Sequence, residues 1–336
     1  MALALVGIGS NIGARSAQLD EAVALLRQTP NIDVRTVSRL HETLPIGGPA
    51  GQGPFLNGAL LLETSLAPEA LFQIFSDIEK RLGRTRDIRW QARTLDLDLL
   101  LYDRLQISLP ALSIPHPRFA YRRFVVEPAA EIAPDLVHPV IGWTVAQLRD
   151  HLRHAKPYVA IAGPAHSGKT RLAAALAEHF AGRTIDSPRL PIAEPESGAS
   201  GRLLAWELEL LAERGSLLAA RTWPDEAALA VSDFWFDQSL AYGRLRLEAR
   251  PLSELTARHK ALAAAVVPPK LLIVLTPPQA NSLPAKPLPV KPMPADPLQQ
   301  ALAALLGPGL GPILQAPADD WEQLWAEVSA AVAAMS

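Results

Sequence analysis

RTRDIRWQARTLDLDLLLYD, residues 84–103, decides how the N-terminal half folds. In its second part Leu95, Leu97 and Leu99 alternate with Asp96 and Asp98. That period of two puts the leucines on one face of a strand and both carboxylates on the other. Side chains two apart on a strand are separated by about 6.5 Å, and paired catalytic magnesium ions by about 3.5 to 4 Å, so the two aspartates can bracket a metal pair. Carboxylate oxygens are the hard ligands magnesium takes. Alone, an Asp-x-Asp strand reads equally well as a half-exposed strand facing water. The preceding loop tips the balance: Arg84, Arg86, Arg89 and Arg93 crowd around Trp90 with only Asp87 to offset them. Guanidinium forks grip phosphate oxygens in pairs, so the segment expects a nucleoside triphosphate and its metals. Nucleic acid is disfavoured as a partner, because the chain carries a formal net charge of −2 and no extended basic stripe.

The 336 residues, 49% of them hydrophobic, are enough for two domains with separate cores. There is no cysteine, which excludes disulfides and thiolate metal sites. No basic N-terminal region precedes a long apolar run, and tracts such as LLIVL near position 273 are too short to span a bilayer. The expectation is a cytoplasmic enzyme with no membrane partner. Pattern and turn chemistry predict strands at 2–9, 32–42, 55–63 and 94–102 and a helix at 15–28. A second helix, opening with Pro68 and capped by Thr64 or Ser65, buries Leu71, Phe72, Ile74, Phe75, Ile78 and Leu82 and ends at Gly83. Prolines from 128 to 139 read as an irregular tail leading to a helix and a boundary near Lys156. The mixture indicates an α+β layer fold.

Six segments, in order, resemble the hydroxymethyldihydropterin pyrophosphokinase family: VGIGSNIG from Val6, ETLPIGGPAGQGPFLNG from Glu42, IEKRLGR, RWQARTLDLDLL, IPHPRF and RRFVVEPAAEIAPDLVHP. The resemblance covers the N-terminal 140 or so positions, within a domain expected over 1–155, and implies a ferredoxin-like fold. It also implies a 2-amino-4-hydroxy-6-hydroxymethyldihydropteridine diphosphokinase, which moves pyrophosphate from ATP to 6-hydroxymethyl-7,8-dihydropterin in folate biosynthesis. Carried over by position, it gives Asp96 and Asp98 to two magnesium ions and makes Arg84, Arg93, Asp96 and Asp98 the catalytic set. Glu79, Arg84, Arg86, Arg89, Trp90, Arg93, His116 and Arg122 fall to ATP binding or loop closure. The pterin slot falls to Thr43, Leu44, Pro45, Ile46, Phe55, Asn57 and Phe124. Apolar faces stack a flat heterocycle, and the Asn57 amide matches its donor and acceptor edge. Two positions depart from the family: Leu44, where a small residue or proline is expected, and Gly58, where alanine is usual. Read singly, Phe55 and Phe124 are also ordinary core candidates, and His116 is a rigid loop residue.

A second signal opens at YVAIAGPAHSGKTRLAAALAEHF, an apolar strand, a Gly-x-x-x-x-Gly-Lys-Thr loop from Gly163 to Thr170, and a helix. In that setting the loop N–H groups cradle phosphates, with Gly163, Ser167 and Gly168 shaping the turn. Lys169 reaches the β- and γ-phosphates and Thr170 serves magnesium. Together with residues 203–220 and 231–255, this loop resembles the deoxynucleoside kinase family. The likeness implies an α/β P-loop domain with a parallel sheet over 156–336, with Asp233 as an acidic residue near sugar or metal and Glu209 and Arg214 along a nucleoside pocket. Trp206, Leu210 and Leu211 are expected core. The arginine-rich lid of such kinases is absent. Residues 277–297 carry prolines at 277, 278, 284, 287, 289, 292, 294 and 297, and Lys286 and Lys291 are the basic residues there. An extended proline-rich loop is expected. Phe234 follows Asp233 where an arginine is common. Two readings therefore stay open for this half: phosphorylation of a deoxynucleoside, or a non-catalytic P-loop domain that regulates or dimerises. A homodimer is implied by resemblance only, through helices near 203–220 and 321–334.

Overall fold

Nine residues without a break, Ala2–Ser10, form β1 because their apolar side chains meet cover on both faces. In chain order there follow α1 (Arg15–Gln28), β2 (Ile32–Val37), β3 (His41–Thr43), β4 (Phe55–Thr64), α2 (Pro68–Arg81), β5 (Asp96–Tyr102), the short pair β6 (Ile107–Ser108) and β7 (Ser113–Ile114), α3 (Arg123–Ile132) and α4 (Val145–His154). The computed structural model describes residues 1–49, 51–83, 93–190, 200–223, 228–276 and 297–336. Arg84, Arg86, Arg89 and Trp90, and all but the last residue of the 277–297 segment, lie outside the described residues. The chain forms two units, Met1–His154 with Ser329–Ser336, and Ala155–Val328.

In the first unit the sheet runs β2-β4-β1-β5, every neighbouring pair antiparallel, with β3 also on β4. One face is dry. Val6, Ile8, Leu60, Leu62, Leu97 and Leu99 pack there against Leu19, Val23 and Leu26 of α1 and Leu71, Phe75 and Ile78 of α2. The alternation that sends Leu97 and Leu99 into this core leaves Asp96 and Asp98 on the other face, where α3 packs on β4.

Three local expectations are corrected. The predicted strand at 32–42 is two strands, since Ser38 uses its hydroxyl to accept the Ala59 N–H at 2.8 Å and donate to the Arg39 carbonyl. α2 starts at Pro68 with Ala67 as its N-cap and no side-chain cap. Thr64 is occupied elsewhere, donating to the Asn31 carbonyl at 2.6 Å and accepting the Leu66 N–H at 3.1 Å. Pro128 lies inside α3. Proline there removes one helical hydrogen bond, but Val126, Pro128, Ala129 and Ala130 are all buried, and packing of a helix face outweighs local propensity.

His138 illustrates how burial reaches into the pH dependence of this unit. Its ring is 6% exposed, stacks on Phe119, and accepts the Ile141 N–H on Nδ1 at 3.3 Å. Burial pushes its pKa down from 6.5 to about 4. A histidine depressed in the fold stabilises it fully above the unfolded pKa and loses that contribution as pH falls from about 6.5 toward 4, a difference on the order of 3 kcal/mol. The melting temperature of unit 1 is expected to drop over that interval. In His138→Asn, whose Oδ1 keeps the Ile141 bond, the drop should shrink. Equal slopes for both proteins would assign the acid lability elsewhere.

The second unit contains β8 (Tyr158–Ala162), α5 (Lys169–His179), β9 (Arg183–Ile185), α6 (Ser200–Leu217), β10 (Ala230–Ser232), α7 (Gln238–Arg246), α8 (Ala249–Ala263), β11 (Leu271–Thr276), α9 (Pro297–Ala303), β12 (Ile313–Pro317) and α10 (Trp321–Ala333). α10 runs from this unit into the Ser329–Ser336 segment of the first. The sheet is wholly parallel in the order β12-β11-β8-β10-β9. A parallel sheet covered on both faces needs near-continuous apolar strands, and every residue of β8, together with Leu271 to Leu275, is buried. On α6, Leu203, Leu210 and Leu211 are buried, as are Leu324, Val328, Ala331 and Val332 of α10. Leu217, the last residue of α6, is exposed.

Candidate functional site

Across the first sheet Asp96 lies opposite Gly9, and Gly9 opposite Asn57. One step along, Asp98 lies opposite Gly7, and Gly7 opposite Ala59. Directly opposed residues share a face, so both carboxylates and the Asn57 amide rise from the side away from the α1/α2 core. With strands about 4.8 Å apart, the backbones of Asp96 and Asn57 are about 10 Å apart. Gly9 keeps the floor between them low. A Cβ there would sit 2.9 Å from Asn57 Oδ1.

The carboxylate side is held from several directions. Arg93 forms an ion pair with Asp96. Burial works against the Arg93 charge, but Asp96 and then Asp98 outweigh it and hold its pKa above the usual value. Glu79, 3% exposed on α2, accepts the Leu97 N–H at 2.9 Å. That satisfies a backbone donor on the edge strand between the two aspartates, and it commits one oxygen of Glu79 to positioning β5. His116 donates its backbone N–H to the Leu100 carbonyl at 2.9 Å and accepts the Arg118 N–H on Nδ1 at 3.2 Å. The neutral ring therefore carries its proton on Nε2. Burial lowers the His116 pKa, with Asp98 opposing, and burial likewise lowers that of Arg122, again with Asp98 opposing. His116, Arg122, Arg93 and the two aspartates thus share one electrostatic neighbourhood.

On the other side, Asn57 is 8% exposed and donates to Thr43 Oγ1 at 2.8 Å. Phe55, opposite Thr43 and two residues before Asn57, shares their face. Phe124, in the first turn of α3, has the Arg122 guanidinium 5.7 Å from its ring centroid. Pro45 and Ile46 are half-buried, whereas Leu44 is 79% exposed, so that departure from the family pattern points into solvent. Gly58 has a local reason. A Cβ there would lie 3.0 Å from a Leu40 methyl and 3.3 Å from Ile8.

Two residues that sequence reasoning passed over tie the halves together. Asn11 accepts the Arg93 N–H on Oδ1 at 2.6 Å, donates its own N–H to the Arg93 carbonyl at 3.0 Å, and reaches Gln52 Oε1 with Nδ2 at 3.2 Å. Arg15 pairs with Glu42 at 2.9 Å and donates to the Pro54 carbonyl at 2.6 Å, clasping both ends of the 44–53 loop. The available signal was a pair of polar residues, Ser10 and Asn11, at the end of an otherwise apolar strand.

In the second unit the loop after β8 lies at the centre of the parallel sheet, where strand order reverses and ligands find a crevice. Gly163 has φ +152°, and a Cβ would meet the Leu275 carbonyl at 3.0 Å; Gly168 has φ +85°. Ser167 Oγ donates to the Pro164 carbonyl at 2.9 Å, and Lys169 Nζ donates to the Gly163 carbonyl at 3.0 Å and to that of Pro164. Burial lowers the Lys169 pKa, with Asp233 opposing. Thr170 Oγ1 donates to Asp233 Oδ2 at 2.6 Å, and the Ser187 N–H to Asp233 Oδ1 at 2.7 Å. Asp233 therefore sits on the Thr170 side of the loop. Along α6 the expected Glu209 is exposed. Glu207 is fully buried instead, 3.3 Å from Arg246. Arg214, 4% exposed with its pKa lowered to about 10 by burial, donates to Ser239 Oγ at 2.7 Å.

The carboxylate oxygens of Asp96 and Asp98 have the chemistry that magnesium takes. Among the described residues there is no group of three or more His, Cys, Asp or Glu side chains that could hold a metal. An ion at Asp96 and Asp98 would keep most of its coordination for water and phosphate oxygens, as magnesium prefers.

A family model described as 7,8-dihydro-6-hydroxymethylpterin-pyrophosphokinase (HPPK) matches residues 5–134. The 2-amino-4-hydroxy-6-hydroxymethyldihydropteridine pyrophosphokinase of Bacillus subtilis is 47% identical over 130 residues, 39% of this chain and 77% of that protein. Its namesake in Haemophilus influenzae is 38% identical over 154 residues, 45% of this chain and 96% of that protein. The chain belongs to the HPPK family. A solved thymidylate kinase from Candida albicans covers 52% of this chain and 89% of its own at 14% identity and a TM-score of 0.36, a likeness too faint to argue from.

Proposed function

We propose that the first unit transfers the pyrophosphoryl group of ATP to 6-hydroxymethyl-7,8-dihydropterin, releasing AMP, the activity its relatives are named for. The observation that carries this reading is the single face on which Asp96 and Asp98 stand across the low Gly7–Gly9 floor from Asn57. The pterin hydroxyl oxygen forms a bond to the β-phosphorus and gives up its proton to solvent, while the bond from that phosphorus to the α-bridging oxygen breaks and the departing AMP takes the electron pair. Positioning and charge stabilisation suffice for such a transfer. Bound at the two aspartates, magnesium supplies neutralisation of phosphate charge. Arg93 and Arg122 balance charge moving toward the bridging oxygen, and His116 offers Nε2–H as a neutral donor. Asn57 and Thr43 read the pterin edge, with Phe55 and Phe124 against its faces. With the short extra strand β3 set aside, the βαββαβ order of β1-α1-β2-β4-α2-β5 supports the ferredoxin-like assignment. Pterin-dependent AMP release from ATP and magnesium by the intact chain tests the proposal, and a folded protein giving none would overturn it.

Gly9→Ala isolates the pterin side. The new methyl displaces the Asn57 amide and breaks its bond to Thr43, so the KM for pterin is expected to rise about tenfold, the scale of one well-made hydrogen bond. Turnover at saturating pterin is retained. An unchanged KM would remove Asn57 from pterin recognition.

For the second unit, the arrangement of Lys169, Thr170 and Asp233 supports a P-loop nucleotide site, in which Thr170 and Asp233 would hold magnesium and the ion would neutralise phosphate charge. Buried Glu207, paired with half-buried Arg246 and near Arg214, favours, as a second reading, a polar acceptor pocket and phosphorylation of a deoxynucleoside. The alternative is a nucleotide-binding unit that regulates without transferring phosphate.

A further inference from the structure

Helix α3 begins at Arg123 with Arg122 as its N-cap and no side-chain cap. The first N–H groups of a helix have no partner within it, and neither do the last carbonyls. The Arg123 N–H is met from far along the sequence, by the Ala334 carbonyl at 2.8 Å. Ala334 directly follows the last residue of α10, and its own N–H is spent on the Ala330 carbonyl at 3.0 Å. The positive end of α3 thus meets the negative end of α10. Ala331, Val332, Ala334 and Met335 are each no more than 4% exposed, and Ser329–Ser336 belongs to the first unit. The family match ends at residue 134, well before the segment that supplies this closure.

We propose that residues 329–336 are a positioning element of the pyrophosphokinase site. By holding the first N–H of α3, the Ala334 carbonyl sets the start of the helix that presents Arg122 and Phe124. The neighbouring bonds are local ones, from the Arg122 N–H to the Phe119 carbonyl at 3.3 Å and from the Val125 and Val126 N–H groups to the Arg122 carbonyl at 2.9 Å. Ala334 supplies the long-range anchor. The proposal rests on the pyrophosphokinase reading for its kinetic measurement only.

The test compares full-length Arg123→Pro with Arg123→Ala. Proline suits the first position of a helix, and Arg122 already holds the extended conformation that a following proline requires. The Pro variant therefore removes the donor and leaves the helix start intact, while the Ala variant removes the side chain and keeps the donor. Arg123→Pro should raise KM for ATP and pterin about fivefold, the factor for one net hydrogen bond, with little change in kcat. Arg123→Ala should match the wild type. Equal KM values in all three proteins would overturn the proposal. A chain ending at Val328 gives a readout independent of activity. Amide exchange should accelerate in the first turn of α3 while β1 and β4 stay protected. Loss of protection throughout unit 1 would mark a purely structural segment and also overturn it. A wild type that releases no AMP would sink the pyrophosphokinase reading, leaving the exchange result to decide this one.

Discussion

Asp98→Asn is expected to reduce pterin-dependent AMP release about a thousandfold, the loss of ~4 kcal/mol of transition-state stabilisation. The change is isosteric and removes one negative charge from a face that also carries Asp96, Arg93, His116 and Arg122, so the fold should persist. Asp103, at the far end of the same strand, provides the control. Its carboxylate accepts the Leu3 N–H at 2.8 Å, away from the trough, and Asp103→Asn should leave AMP release intact. Steady-state rates at saturating magnesium decide the matter. Near-normal turnover in Asp98→Asn would remove the metal assignment and return the strand to a solvated edge.

Lys169→Ala is expected to weaken nucleotide binding to the second unit about a hundredfold, because charge-assisted hydrogen bonds to phosphate contribute ~1.5–3 kcal/mol each. AMP release by the first unit should be unchanged. The two constants are read separately, by equilibrium titration with a non-hydrolysable triphosphate and by the AMP assay. Any phosphorylation of deoxynucleosides should vanish in the same variant. A Lys169→Ala chain that binds the triphosphate at wild-type strength in the second unit would mean that Lys169 stays on the Gly163 and Pro164 carbonyls and does not reach phosphate.

What the sequence made legible was local and periodic. The two-residue alternation of β5 separates leucines from aspartates in the structure as it does on paper. α2 buries Leu71, Phe75 and Ile78 as its spacing requires, and the loop after β8 sits between strand and helix. What escaped was long-range. Asn11 bonds to residues about forty and eighty positions away, and nothing in the spacing of SNIG encodes that. On α6 Glu209 is exposed and Glu207 buried, because two residues turn a helix by more than half a revolution. Pro128 was read by its local preference, and the buried face of α3 overrode it. Thr64 was a sound cap in isolation and lost to a carbonyl across the sheet.

Because the second unit is threaded between two pieces of the first, order of synthesis acquires a meaning. Translation at about 5–20 residues per second leaves an interval on the order of ten to thirty seconds between completion of α4 and the appearance of residues 329–336. During that time the first turn of α3 must be satisfied by water. The unit that begins first is finished last, and a message cut short anywhere in the second unit yields a sheet without its closing segment. Each finished first unit therefore comes with one copy of the second, a fixed one-to-one ratio set by chain connectivity rather than by expression or affinity.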